Sequence, residues 1–325
     1  MASNNFSLSI IVPMYNEGEN VSVFYEKITQ ILVSHNYDYK IICINDGSKD
    51  DTMERLRQLA NHDKRVKVIN LSRNFGKEIA MSAGLNYSKA DIVIPIDADL
   101  QDPPEVIPLL IEKWKEGYDV VYATRKKRDG ETWLKKATAH TFYRVMGKVT
   151  RFEIPADTGD FRLMTKQVVD ALNQLPEQHR FMKGLFSWVG FKQTSVTYYR
   201  EPRYAGKSSF NYWKLWNFAI EGITSFSFAP LQIATYLGLL IAVLSLVYAT
   251  YLVIATFTLG NPVPGYPSLM VAILFFGGVQ LITLGVIGEY IGRIYNESKR
   301  RPLYLVKEEL NIDEEPKSAK LKIIN

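Results

Sequence analysis

The chain has 325 residues, 47% of them hydrophobic, which leaves room for a full α/β domain and something more. Its 39 Lys and Arg against 34 Asp and Glu give a net charge of +5, which by itself fits nucleic acid, an anionic substrate or an anionic membrane face. The single cysteine, Cys43, excludes a disulfide framework, and its place in the apolar run Ile41 to Ile44 marks a packed thiol in a reducing compartment.

Met1 to Ser7 lacks the basic stretch and long apolar core of a secretory signal, so the first domain is expected to stay in the cytoplasm. Leu8 to Val12 then reads as a strand, Tyr15 to Asn20 as a loop, and the apolar-periodic segment through Val33 as a helix. The pattern repeats at Ile41 to Asn45, Asp46 to Asp51 and Met53 to Leu59, and again at Val66 to Leu71, Ser72 to Gly76 and Ile79 to Leu85. A fourth strand, Ile92 to Ile94, runs into Asp97-Ala98-Asp99-Leu100-Gln101-Asp102-Pro103-Pro104, where the prolines open a helix. Asp119 to Ala123 is a fifth strand.

Strands alternating with helices predict an α/β domain with a mostly parallel sheet, whose ligands bind beyond the carboxyl ends of the strands. The polar loops all follow strands and should meet in one crevice. Asp97, Asp99 and Gln101 would bring to it the hard oxygens that Mg²⁺ or Mn²⁺ prefers, with a diphosphate completing the shell; a solvated turn is the plain alternative. Asp157-Thr158-Gly159-Asp160 is a second acidic constellation, either a sugar-side carboxylate site or a capped turn before a helix at Lys166 to Leu172. His35, His62, His140 and His179 lie in no cluster of metal-ligand spacing, so neither zinc nor histidine catalysis is expected.

From Glu131 to Phe152 a helical apolar stripe with Arg144, Lys148 and Arg151 on its flank suits either a membrane interface or ordinary domain packing. Thr194 to Tyr199 is strand-like, and Arg200 to Ser209 is a basic, glycine-containing loop. Aromatic residues from Phe210 to Phe218 then crowd the approach to an uncharged stretch that lies between Glu221 and Glu289. It holds two crossings, about Leu231 to Phe257 and Leu269 to Ile291, around a Gly/Pro turn at 260–267. That turn carries no Lys or Arg, whereas Arg293, Lys299, Arg300 and Arg301 follow the second crossing, so both ends are expected in the cytoplasm. Beside a membrane segment, the net positive charge points to an anionic substrate or membrane face rather than nucleic acid. The tail is expected to be loosely ordered, with local docking open at Pro302 to Val306.

Val12 to Glu17, Asn45 to Asp50, Arg73 to Lys77, Asp97 to Pro104 and Asp157 to Leu163, in this order and ahead of two late apolar helices, resemble the family 2 inverting glycosyltransferases of GT-A (Rossmann-like) fold. Within them the chain resembles polyprenyl-phosphate glycosyltransferases, of the bactoprenol glucosyltransferase kind and related to dolichol-phosphate mannose synthases. The resemblance implies nucleotide contacts from Pro13, Tyr15, Glu17, Asp46, Lys77 and Asp97, and Mg²⁺ or Mn²⁺ on Asp97, Asp99 and Gln101. It implies an acceptor-phosphate site at Arg125, Lys136, Arg203 and Lys207, and a catalytic carboxylate at Asp157 with Asp160 beside it. The expected organisation is a nucleotide-sugar core at 1–130, an acceptor part with amphipathic interface helices at 131–228, two transmembrane helices at 229–293 and a charged cytoplasmic tail at 294–325.

The expected reaction moves glucose from UDP-glucose to undecaprenyl phosphate at the cytoplasmic face of the membrane, with GDP-mannose, UDP-GlcNAc or a modified pentose donor as alternatives. A processive polysaccharide synthase fits poorly, since the chain lacks Gln-x-x-Arg-Trp and has too few crossings for a pore. The contrasting class is a membrane-anchored nucleotide-sugar binder without turnover. Self-association is left open.

Overall fold

The computed structural model describes residues 6–125, 158–175, 177–178, 180–199, 224, 227–259 and 265–312. The described residues up to 199 and from 302 onward belong to one compact unit, and those from 224 to 301 to a second.

The first unit is built on a sheet whose described strands are β1 (Ser7–Met14), β2 (Asp38–Asn45), β3 (Val66–Leu71), β4 (Ile92–Pro95), β5 (Val120–Arg125), β6 (Thr158–Thr165), β7 (Gln193–Tyr198) and β8 (Val306–Leu310), in the order β7-β5-β6-β4-β1-β2-β3-β8. Its centre is parallel, β1 pairing with both β2 and β4 and β2 with β3. These strands are near-continuous runs of Val, Ile and Leu because both faces are covered: Leu8, Ile10, Ile11, Val12, Ile41, Ile42, Ile44, Val68 and Ile69 are all buried. Cys43 lies among them, and burial raises its thiol pKa to about 12, which makes it a packing residue.

Helices α1 (Gly18–Ser34), α2 (Thr52–His62), α3 (Lys77–Tyr87) and α4 (Ile107–Lys115) connect the parallel strands. α1 buries Val21, Phe24, Ile28 and Leu32, one side of a 3.6-residue period. α3 lies flat on the sheet because Gly84 lets it: a β-carbon there would meet Ile11 at 2.3 Å and Ile44 at 2.7 Å. Pro104 opens a short 3₁₀ turn, Pro104–Val106, that leads into α4, so the proline pair starts a helix as expected.

The flanks differ from a plain parallel sheet. β6 runs antiparallel between β4 and β5, β7 lies parallel to β5, and β8 lies antiparallel to β3. β6 covers most of the segment that reads as a capped turn; Gly159 and Asp160 interrupt its alternation, yet Phe161 and Leu163 are buried on one face and Met164 on the other. Being antiparallel, β6 brings its amino end to the edge where the parallel strands have their carboxyl ends. Helices α5 (Lys166–Gln174) and α6 (Met182–Trp188) follow, α5 at its expected place and α6 without a counterpart in the sequence pattern.

The second unit contains α7 (Ala229–Leu259) and α8 (Tyr266–Ser298), longer than the two crossings expected but at the same places. Both are long and apolar enough to cross a membrane, and Leu239, Leu246, Leu274, Leu281 and Ile282 are among the side chains they leave exposed. The Tyr290 hydroxyl donates to the Ser227 carbonyl at 2.5 Å, joining the start of this unit to α8.

The segment after α8 is not wholly a loose tail. β8 pairs with β3 and is fastened by a bidentate ion pair from Arg57 to Glu308 at 2.8 and 3.1 Å. Asn311 donates to the carbonyls of Ala60 and Val66 at 2.7 and 2.8 Å. Tyr304 is buried and bonded by Asn86 at 3.2 Å. A charged strand is hard to read because its hydrophilic alternation imitates a solvated tail, although Val306, Glu308 and Leu310 share one face. The interface helix expected at 131–152 and the loop at 200–209 lie outside the described residues, as does most of the 260–267 turn.

Candidate active site

At the carboxyl edge of the sheet, three loops lock into one another. Asn16, in a left-handed conformation with φ 54°, accepts the Lys49 N–H at 2.8 Å, while its own N–H donates to Ser48 Oγ at 2.9 Å. Asp50 accepts the Gly18 N–H at 3.1 Å and the Thr52 hydroxyl at 2.5 Å, which ties the start of α1 to that of α2. Asp46 accepts the Phe75 and Gly76 N–H groups at 2.7 and 2.9 Å. Burial raises the Asp46 pKa in spite of these bonds. Its carboxylate therefore shapes the 73–76 loop. Tyr15 is exposed beside these loops, Pro13 is half-buried at the end of β1, and Glu17 accepts the Asn20 amide at 2.5 Å.

Past the end of β4 the site becomes a set of paired charges. Lys77, the first residue of α3, places its ammonium 2.7 Å from Asp97 Oδ1, 2.8 Å from Asp97 Oδ2 and 2.7 Å from Asp160 Oδ2. Burial would pull the lysine pKa down, but the two carboxylates raise it well above its ordinary value. Asp160 is held at about 2: burial pushes it up, and Lys77, Lys183 and Arg162 more than reverse that. Its Oδ1 is buried and has no hydrogen-bond partner among the described residues. Arg162, two residues further along β6, donates to the Gly159 carbonyl at 2.8 Å and stacks 3.8 Å over the Phe186 ring. Burial lowers its pKa to about 10.

A third cluster lies where β5, β6 and β7 end. Register sets Arg125 beside Tyr198. Arg125 Nε donates to the Tyr198 hydroxyl at 3.2 Å, that hydroxyl donates to buried Asp102, and the guanidinium lies 3.7 Å from the same carboxylate. A β-carbon at Gly159 would come 2.8 Å from Arg125 Nη2, so any larger residue there would shift the guanidinium. Burial first and Asp102 second raise the Tyr198 pKa, so this hydroxyl stays a donor. Replacing Tyr198 by phenylalanine should lower stability by about 1–2 kcal/mol, read as an earlier unfolding midpoint in detergent, because the carboxylate loses a buried donor.

The structure thus brings Lys77, Asp97, Asp160 and Arg125 to one edge of the sheet, with the loops of Pro13, Tyr15, Glu17 and Asp46 along the same edge. Asp157, Lys136, Arg203 and Lys207 lie outside the described residues. Asp102, Tyr198, Arg162 and Lys183 were not singled out in the sequence. Asp102 lies within the Asp-rich run, but Lys183 and Tyr198 reach the site only through tertiary placement.

Asp99 turns Oδ1 back to the Gln101 N–H at 3.2 Å around Leu100, whose φ is 56°. No three His, Cys, Asp or Glu side chains converge among the described residues. The oxygens available, and the ammonium already resting on Asp97, fit a divalent cation that takes one or two protein carboxylates and completes its shell from phosphate and water, as Mg²⁺ does.

The sequence pattern of glycosyl transferase family 2 matches residues 9–172. That of the GtrB C-terminal hairpin matches residues 229–294. An uncharacterized glycosyltransferase of Synechocystis is 60% identical over 299 residues, 92% of this chain and 94% of that protein. The bactoprenol glucosyl transferase of Shigella phage SfV is 52% identical over 302 residues, 93% and 98% of the two chains. A prophage bactoprenol glucosyl transferase homolog of Escherichia coli is 49% identical over 300 residues, 92% and 98% of the two.

Proposed function

The chain belongs to glycosyl transferase family 2 and has the GT-A fold, and from that premise we propose that it transfers glucose from UDP-glucose to a polyprenyl phosphate, releasing UDP. The observation that carries this reading is end-to-end similarity to bactoprenol glucosyl transferases, through both the catalytic region and the apolar hairpin.

The geometry supports it. Joining a nucleoside diphosphate sugar to a lipid phosphate requires two anionic reactants to be held together, and Lys77, Lys183 and Arg125 gather at one sheet edge for that purpose. The interlocked loops of Asn16, Asp46 and Ser48 would hold the nucleotide, with Tyr15 exposed for its base. Asp97, with Asp99 and Gln101 behind it, would hold Mg²⁺ or Mn²⁺, which when bound neutralises the leaving diphosphate. Arg125, fixed by Tyr198 and Asp102, would orient the acceptor phosphate, and Lys136, Arg203 and Lys207 are proposed to extend that site.

A phosphate monoester is already ionised near neutral pH, so its oxygen can attack C1 as the C1–O bond to the diphosphate breaks, with inversion. No strong base is required, and we assign Asp157 an orienting role beside Asp160.

The hairpin is proposed to anchor the enzyme in the cytoplasmic membrane. β8 rejoins the sheet after α8, which supports both ends of the hairpin emerging on one side, the cytoplasmic one. Purified protein given UDP-glucose, Mg²⁺ and undecaprenyl phosphate should form a glucosyl-phosphate lipid and UDP. Product only from GDP-mannose, UDP-GlcNAc or another donor would correct the sugar. No lipid product from any nucleotide sugar, with UDP still bound, would leave the binder without turnover.

A further inference from the structure

Lys77 stands at the boundary between the nucleotide loops and the acidic pair. Its backbone continues directly from Gly76, whose N–H is held by Asp46, while its ammonium spans Asp97 at the end of β4 and Asp160 at the start of β6. The side chain is 44% exposed, so its flexible four-carbon stem has room to move. Asp160 does not depend on it alone, because Lys183 and Arg162 also act on that carboxylate. Asp97 is also felt by Arg125, but Lys77 contacts both of its oxygens, the very atoms a divalent cation would need. A metal arriving on Asp97 would compete for the oxygens the ammonium now contacts and would repel that ammonium at close range, which favours its release. The nearest new anion is the diphosphate that the metal itself would carry.

We propose that Lys77 is an exchangeable cation: it neutralises Asp97 and Asp160 in the empty site and passes to the donor diphosphate when the divalent metal takes Asp97, which makes metal and nucleotide bind cooperatively. The inference rests on the donor reading above and deepens it. It requires no bond to be made or broken. Each ligand prepares the other's place, metal by releasing the lysine and nucleotide by receiving it, and linkage makes the effect reciprocal.

The test is a thermodynamic cycle on the full-length protein in detergent, using UDP and Mn²⁺ without acceptor, so that no turnover is read. UDP affinity is measured by calorimetry with and without Mn²⁺, and Mn²⁺ affinity by electron paramagnetic resonance with and without UDP. Lys77→Met should bind Mn²⁺ alone more tightly than the wild type does. The factor by which Mn²⁺ tightens UDP binding should fall at least about fivefold. A lysine that merely sits nearby would change each affinity singly and leave that factor unaltered, so the factor decides. Lys77→Gln, which keeps a donor without the charge, guards against misfolding of the methionine variant and should behave the same way. Lys77→Arg should retain most of the coupling. UDP binding with an unchanged factor in both neutral variants overturns the exchange alone. A wild-type protein that binds no UDP in the presence of Mn²⁺ overturns the donor reading and the exchange with it.

Discussion

Asp160→Asn should reduce transfer at least about 100-fold and lower stability by about 3 kcal/mol. This carboxylate is largely buried and is the shared counter-charge of Lys77, Lys183 and Arg162, so removing its charge leaves Lys77 to Asp97 and takes from Lys183 and Arg162 the carboxylate that acts on them most. Arg162, on the strand β6 and over the Phe186 ring, is only 4% exposed, so water is a poor substitute for the lost charge. Activity is checked by lipid-linked product and stability by unfolding in detergent. The acid limb of the stability profile gives an independent reading. The cations hold Asp160 at about 2, below its ordinary carboxyl value of 3.8, so its ionised form adds stability above about pH 4 that is lost as pH falls through the folded value. The asparagine variant should lack this component and show a shallower loss between about pH 4 and pH 2. Equal acid profiles for the two proteins would show that Asp160 is not held by the cations.

Gly47→Ala should weaken UDP binding about tenfold and destabilise the protein by about 1–3 kcal/mol. Gly47 has φ 66°, and a β-carbon there would lie 2.5 Å from the backbone of Arg73 and Asn74, where nothing can yield without opening the two loops. The opening would strain the bonds from Asp46 to Phe75 and Gly76, and with them the approach to Lys77. Gly117 is the control. Its φ is 89°, but a β-carbon would meet nothing within 4 Å, so Gly117→Ala should show only backbone strain of about 1 kcal/mol and unchanged UDP affinity. Calorimetric titration of both variants separates a loop-packing defect from a general loss of stability.

The central strands and their helices were legible because local chemistry and fold agree there: apolar runs end in Asn, Asp and Gly, and α1 carries one buried stripe. The polar loops could be assigned to one crevice for the same reason, since parallel strands present their carboxyl ends together. β6 was concealed by its own function. Gly159 serves the close approach of Arg125, and Asp160 serves Lys77, so neither residue follows strand alternation. Tyr198 and Lys183 carry no local mark of a site; a tyrosine ending a strand and a lysine in a short helix gain meaning only from the register of β5 with β7 and the packing of α6 on β6. Asp97 was legible as a cation ligand, but its partnership with Lys77 was not, because 20 residues separate them and only the β4–β1 pairing and the docking of α3 bring them together.

The return of the chain to β3 also bears on how the protein can be made and handled. The edge of β3 is closed by residues that leave the ribosome after both apolar helices, so the domain that precedes the hairpin must wait for the hairpin before its sheet is complete. Until then β3, buried on both faces, offers an open row of backbone donors and acceptors, the kind of edge that pairs with other chains. A water-soluble version made by stopping the chain ahead of α7 would carry that open edge permanently and would lose the Arg57–Glu308 clasp as well. Joining the segment from Pro302 to Ile312 back onto such a shortened domain restores the missing strand without the membrane helices.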